Sequence, residues 1–65
     1  MSKFLFNGKQ YVYTVLLSEN LIDDFNSQSV FQDKYTMYGD LISTWRGNVY
    51  CVEDDCSIWC TEEIK

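Results

Sequence analysis

The chain of 65 residues contains no histidine, no proline and only five basic side chains. Without histidine, a zinc site would need cysteines and carboxylates alone. A nucleophilic cysteine would likewise lack its usual base. No proline-rich linker, low-complexity segment or internal repeat interrupts the sequence. No apolar run approaches the roughly 18 residues that a membrane span requires. The opening Met1-Ser2-Lys3-Phe4-Leu5-Phe6 lacks the apolar stretch and small-residue cleavage site of a secretory leader. A basic stripe is missing too: Lys3 and Lys9 beside Tyr11 neutralise about two phosphates, too few for a nucleic-acid binder of this charge. The expectation is a cytoplasmic protein that contacts neither membrane nor nucleic acid directly.

What is present is acid. All ten carboxylates follow residue 18, and five fall among residues 53–63. Residues 19–65 set ten acids against Lys34, Arg46 and Lys65, a formal charge of −7, while the whole chain carries −5. Such segregation favours a basic partner. Eleven aromatic residues accompany the charge. A chain this short buries only roughly 60% of its unfolded surface, so one small domain over residues 1–65 is the most it can build. Rings burying about 150–250 Å² each make its core feasible. Those that do not fit inside are the residue types that anchor interfaces.

Asn7-Gly8 sits between Lys3-Phe4-Leu5-Phe6 and residues 9–17, both rich in aromatic and β-branched side chains. Asn-Gly tolerates the two positive φ angles of a type I′ hairpin. In that register Phe4 faces Tyr11, with Phe6, Tyr13 and Val15 on the same face. Ser18 reads as a helix N-cap before Leu21, Ile22 and Phe25. Ser29 with Gln32 resembles a second capping box, leading to a helix that ends at Gly39. Residues 19–38 are therefore predicted as one helix or two. Period-two segments follow at 41–45, 49–52 and 57–61, separated by turns at 46–48 and 53–55. Residues 62–65 read as a frayed tail. The predicted fold is α+β in the order ββ-α-βββ: an N-terminal hairpin, one or two short helices and a three-stranded antiparallel meander.

The spacing Cys51-x4-Cys56-x3-Cys60 is a weak metal pattern without a fourth ligand, and alternation suits buried reduced thiols better. A Cys51–Cys60 disulfide is the other alternative. Glu53, Asp54 and Asp55 raise a nearby thiol's pKa rather than lower it, which argues against thiol chemistry. They also lack the spacing of a calcium loop. Asp23-Asp24 and Asp54-Asp55 occupy solvated positions rather than a pocket that would split their pKa values. The expectation is no enzyme, no metal and no cofactor.

The partner-binding surface is read as the turn acids Glu53, Asp54 and Asp55 with the tail acids Glu62 and Glu63. These lie at opposite ends of one hairpin, with Trp59 and Tyr50 between them. A charged rim around an aromatic centre suits protein docking. In composition the chain resembles the small acidic proteins by which bacteriophages inhibit host enzymes or defences, some of them imitating DNA charge. That resemblance implies an inhibitor or adaptor in the host cytoplasm that occludes a basic, nucleic-acid-binding surface of a host protein. The alternative is an assembly module that forms a homodimer through exposed rings or a sheet edge.

Overall fold

The computed structural model describes residues 2–65. Two tight turns with paired positive φ angles organise it. Asn7 (φ 53°) and Gly8 (φ 78°) join β1 (Lys3–Phe6) to β2 (Lys9–Leu16). Arg46 (φ 51°) and Gly47 (φ 76°) join β4 (Leu41–Trp45) to β5 (Asn48–Val52). Left-handed residues at both central positions match the twist of the flanking strands. Phe4 pairs with Tyr11 in the register expected from sequence, and their rings stack 5.5 Å apart at 19°. Val15 departs from that expectation: the register shifts between Tyr13 and Leu16, leaving Val15 64% exposed.

The predicted α+β class is corrected to mainly β. Among the described residues the sheet has six strands in the order β1-β2-β6-β5-β4-β3, every pairing antiparallel, curled into a half-barrel. Helix is confined to a 3₁₀ turn, Glu19–Leu21, and the seven-residue α1, Ile22–Gln28. Residues 30–35, read as part of a second helix, form β3 (Val30–Tyr35). A helix that short is marginal alone, whereas the open edge of β4 offers Val30 and Phe31 partners at Thr44 and Ser43. The Gln32 amide donates to Thr44 Oγ1 at 2.9 Å. Asp33 takes φ 56° where the ladder register shifts. Ser29 closes α1, its N–H donating to Phe25 O, and Ser18 makes no side-chain cap bond. The tail is also ordered: β6 (Ile58–Ile64) reaches Ile64, opposite Gln10.

Two clusters of buried side chains line the two faces of the sheet. The crossover from β2 to β3 lays α1 on one face, where Phe25 is 1% exposed against Trp45, Tyr50 and Ile58. The other, concave face holds Phe4, Phe6, Ile42 and Cys51, bordered by Tyr11, Tyr13, Val49 and Trp59. β1 and β3 are the sheet edges, and Lys34 Nζ reaches across to Asn7 Oδ1 at 3.3 Å and over the Phe6 ring. No helix of the described residues is long and apolar enough to cross a membrane.

Candidate functional site

Two five-residue turns end the sheet side by side: residues 36–40 between β3 and β4, and residues 53–57 between β5 and β6. They share one bonding pattern. Gly39 N–H donates to Thr36 O and Thr36 N–H to Asp40 O; Cys56 N–H donates to Glu53 O and Glu53 N–H to Ser57 O, all at 2.9 Å. The fourth residue of each is left-handed, Gly39 at φ 86° and Cys56 at φ 71°. Glycine takes that conformation freely, and a residue with Cβ is strained there. Cys56→Gly is therefore expected to stabilise the fold by about 0.5–1 kcal/mol, raising Tm by ~2–8 °C. A lower melting temperature for that variant would contradict the shared turn geometry.

Side chains fix the turns further. Thr36 Oγ1 accepts from the N–H groups of Tyr38 (3.2 Å) and Asp40 (3.3 Å). Tyr13 donates its hydroxyl to Asp40 Oδ2 at 2.6 Å, so the 3.1 Å contact between Tyr13 Oη and Thr36 Oγ1 has the threonine as donor. In the other turn Asp55 Oδ1 accepts from Ser57 N–H at 3.0 Å. That bond holds the Asp55 carboxyl below its ordinary range.

Between the turns opens a cleft of about 330 Å³ lined by Ser2, Tyr13, Tyr38, Asp40, Glu53 and Trp59. Tyr38 and Asp40 come from one turn, Glu53 from the other, and Tyr13 and Trp59 rise from β2 and β6. Tyr13 stands edge-on to both neighbours, 5.8 Å and 81° from Tyr38, 6.1 Å and 69° from Trp59. The Trp59 indole N–H donates to Glu53 Oε2. Among the described residues no lysine or arginine lines the cleft.

Of the residues read from sequence as the partner surface, Glu53 and Trp59 meet, and Asp54 and Asp55 stand exposed on the same turn. Tyr50 does not join them: at 6% exposure it is packed under α1, on the opposite face from Trp59. Glu62 and Glu63 pair with Val12 and Tyr11 at the far end of β6. There they share a depression of about 510 Å³ with Lys9 and Lys65, so their charge is locally offset. The continuous patch expected along the hairpin is thus replaced by one acidic end. Tyr13, Tyr38 and Asp40 were not among the expected residues. No residue pattern common to 36–40 and 53–57 announces them: Thr36 and Gly39 stand where Glu53 and Cys56 do, and the likeness lies in the backbone bonds.

The chemistry of the cleft is that of fixed, neutral donors beside carboxylates. Burial, then the bond to Asp40, pushes the Tyr13 phenol well above its ordinary value. Burial pushes the Cys51 thiol up to about 11, opposed by a hydrogen bond with Tyr13 and aided by the charge of Asp40. Burial also raises Cys60. Cys51, Cys56 and Cys60 are free thiols, and no three ligating side chains converge among the described residues. Native thiol titration is expected to label exposed Cys56 first, half-buried Cys60 slowly and buried Cys51 only on unfolding. Equal labelling of all three would contradict the packing of the concave face.

Tyr13 and Cys51 also set an alkaline limit. Folding raises both values, so both groups stabilise the fold while protonated. That contribution is complete below the ordinary thiol value of 9.0 and is lost as pH climbs through about 11. Tm is expected to stay level from about pH 7 to 8.5 and fall steadily above 9. A melting temperature that held constant to about pH 11 would contradict it.

Comparison with protein-family models, with curated proteins and with solved structures finds no match for this chain, so its functional reading rests on the geometry above.

Proposed function

We propose that the protein is a non-enzymatic inhibitor or adaptor whose acidic turn end docks on a basic surface of another protein, one that ordinarily holds nucleic acid. The observation that carries this reading is the meeting of Asp40 and Glu53 with Tyr38 and Trp59 in one cleft at the end of the sheet, with Asp54 and Asp55 exposed on the same turn as Glu53 and no basic side chain among the described lining residues. Carboxylates there occupy positions that phosphates would otherwise take, and the rings contribute area that fixes orientation. Occlusion is the whole mechanism, and no bond is made or broken. Capture of partners from a bacterial lysate, with mass-spectrometric identification, is expected to yield a nucleic-acid-binding protein at low salt and to lose it at raised salt. Capture that ignores salt would remove the phosphate-mimicry reading.

A second reading, self-association through a sheet edge, has its own observation. β1 and β3 are both free edges, and Leu5, Val30, Phe31, Tyr35 and Met37 are exposed on or beside them. Edges of this kind template strand pairing. It requires a homodimer that dissociates on dilution and survives charge neutralisation, which sedimentation across a concentration series separates from the first reading.

A further inference from the structure

We propose that the cleft between turns 36–40 and 53–57 is a receptor for a single alkylammonium group, the head of a lysine side chain that the basic partner inserts between Asp40 and Glu53. The proposal rests on the docking reading above and deepens it, because it names the group that is recognised. Three features of the cleft converge on that ligand class.

The first is the ring arrangement. Tyr13, Tyr38 and Trp59 line one cleft, with Tyr13 steeply inclined to both neighbours. Rings set at such angles around a common space can flank the alkyl stem and offer π surface to a cation. The second is anchoring. Asp40 and Glu53 each commit one oxygen to a ring donor, Tyr13 Oη and Trp59 Nε1, and those bonds hold the carboxylates in place. Each carboxylate retains a second oxygen, and an ammonium head brings three donors. The third is the local field. Among the described residues the lining contains two acids and no basic side chain.

The same geometry discriminates between the two basic side chains. Arginine binds best through a planar fork that takes both oxygens of one carboxylate. Here one oxygen of each already accepts from a ring donor, so a fork would have to share that oxygen. An ammonium is a compact charge that two separate oxygens can share. The cleft therefore favours lysine over arginine, and rejects the neutral isostere because its polar groups would be left unpaired.

The test titrates the full-length, ¹⁵N-labelled protein with N-acetyl-lysine methylamide, and with the norleucine and arginine analogues. The readout is the Trp59 indole N–H resonance. The lysine probe is expected to shift that signal saturably with a Kd in the millimolar range, with both analogues at least about fivefold weaker. The Trp45 indole, which donates to Gln28, serves as the internal reference and should not move. Tyr38 is 52% exposed, so Tyr38→Ala should fold and weaken the lysine probe about tenfold. Norleucine binding as tight as lysine, or a Trp59 signal unmoved by lysine, overturns the receptor. Salt-sensitive capture from lysate alongside an unmoved Trp59 signal keeps the docking reading and removes this proposal. A saturating lysine probe without salt-sensitive capture keeps the receptor and removes the docking reading.

Discussion

Phe25→Ala is expected to be severely destabilising. Phe25 is the side chain by which α1 holds the sheet, its ring 5.6 Å from Trp45 and 5.2 Å from Tyr50, edge-on to both. Truncating a buried phenylalanine costs about 3–5 kcal/mol, because the cavity adds to the lost transfer energy. A chain of this length has a total stability of roughly 3–10 kcal/mol. The substitution therefore removes a third of the margin at best and all of it at worst. Tm should fall by ~15–30 °C, and the near-ultraviolet signal of Trp45 should go with it. Phe31→Ala, on the edge strand at 58% exposure, is the matched control. It should change stability by under about 1 kcal/mol, as surface substitutions do. If both variants melted alike, the assignment of Phe25 to the core under α1 would be wrong.

The turn acids that precede β6 and the glutamates at its far end are expected to behave differently towards a basic partner. Asp54→Asn with Asp55→Asn should slow association roughly tenfold at low salt while leaving dissociation within about twofold, because rim charge acts mainly through steering. Asparagine keeps an oxygen at position 55 to accept from Ser57 N–H, so the turn itself should survive. Glu62→Gln with Glu63→Gln removes the same formal charge from the other end. There Lys9 and Lys65 line the same depression. Association should then change by less than about twofold. Equal slowing by the two pairs would mean that net charge, rather than the acidic turn end, guides the encounter.

Much of the sheet was legible because its turns are chemical. Asn7-Gly8 is a pair that accepts positive φ, Gly47 marks the second such turn, where Arg46 takes φ 51°, and the two turns lock the register of the strands beside them. β3 was not legible. Ser29-x-x-Gln32 fits a capping box, and the segment becomes a strand because the edge of β4 lies open twelve or more residues away. The tail misled for a similar reason: Glu62-Glu63 looks like solvent, yet Tyr11 and Val12 pair with it across the whole length of the chain. Short-range signals cannot carry such long-range pairing.

The site divides in the same way. Glu53 and Trp59 face each other across one hairpin, six residues apart, and their meeting was within reach of sequence. Tyr13 and Asp40 are 27 residues apart, and they meet only because β2 pairs with β6 while the turn 36–40 comes round beside it. Tyr50 was misplaced by a single step of strand alternation, since Cys51 points to the concave face and its neighbour points to α1. One residue of register thus separates a contact ring from a core ring.

The association rate with the captured partner, followed from about 0.05 to 0.5 M salt, tests the central claim most directly. A fall of ten- to a thousandfold with little change in the dissociation rate is expected if the turn end attracts a cationic cleft. A rate that stays flat across that range contradicts the claim, and leaves the acids as solvation and the exposed sheet edges as the surface to pursue.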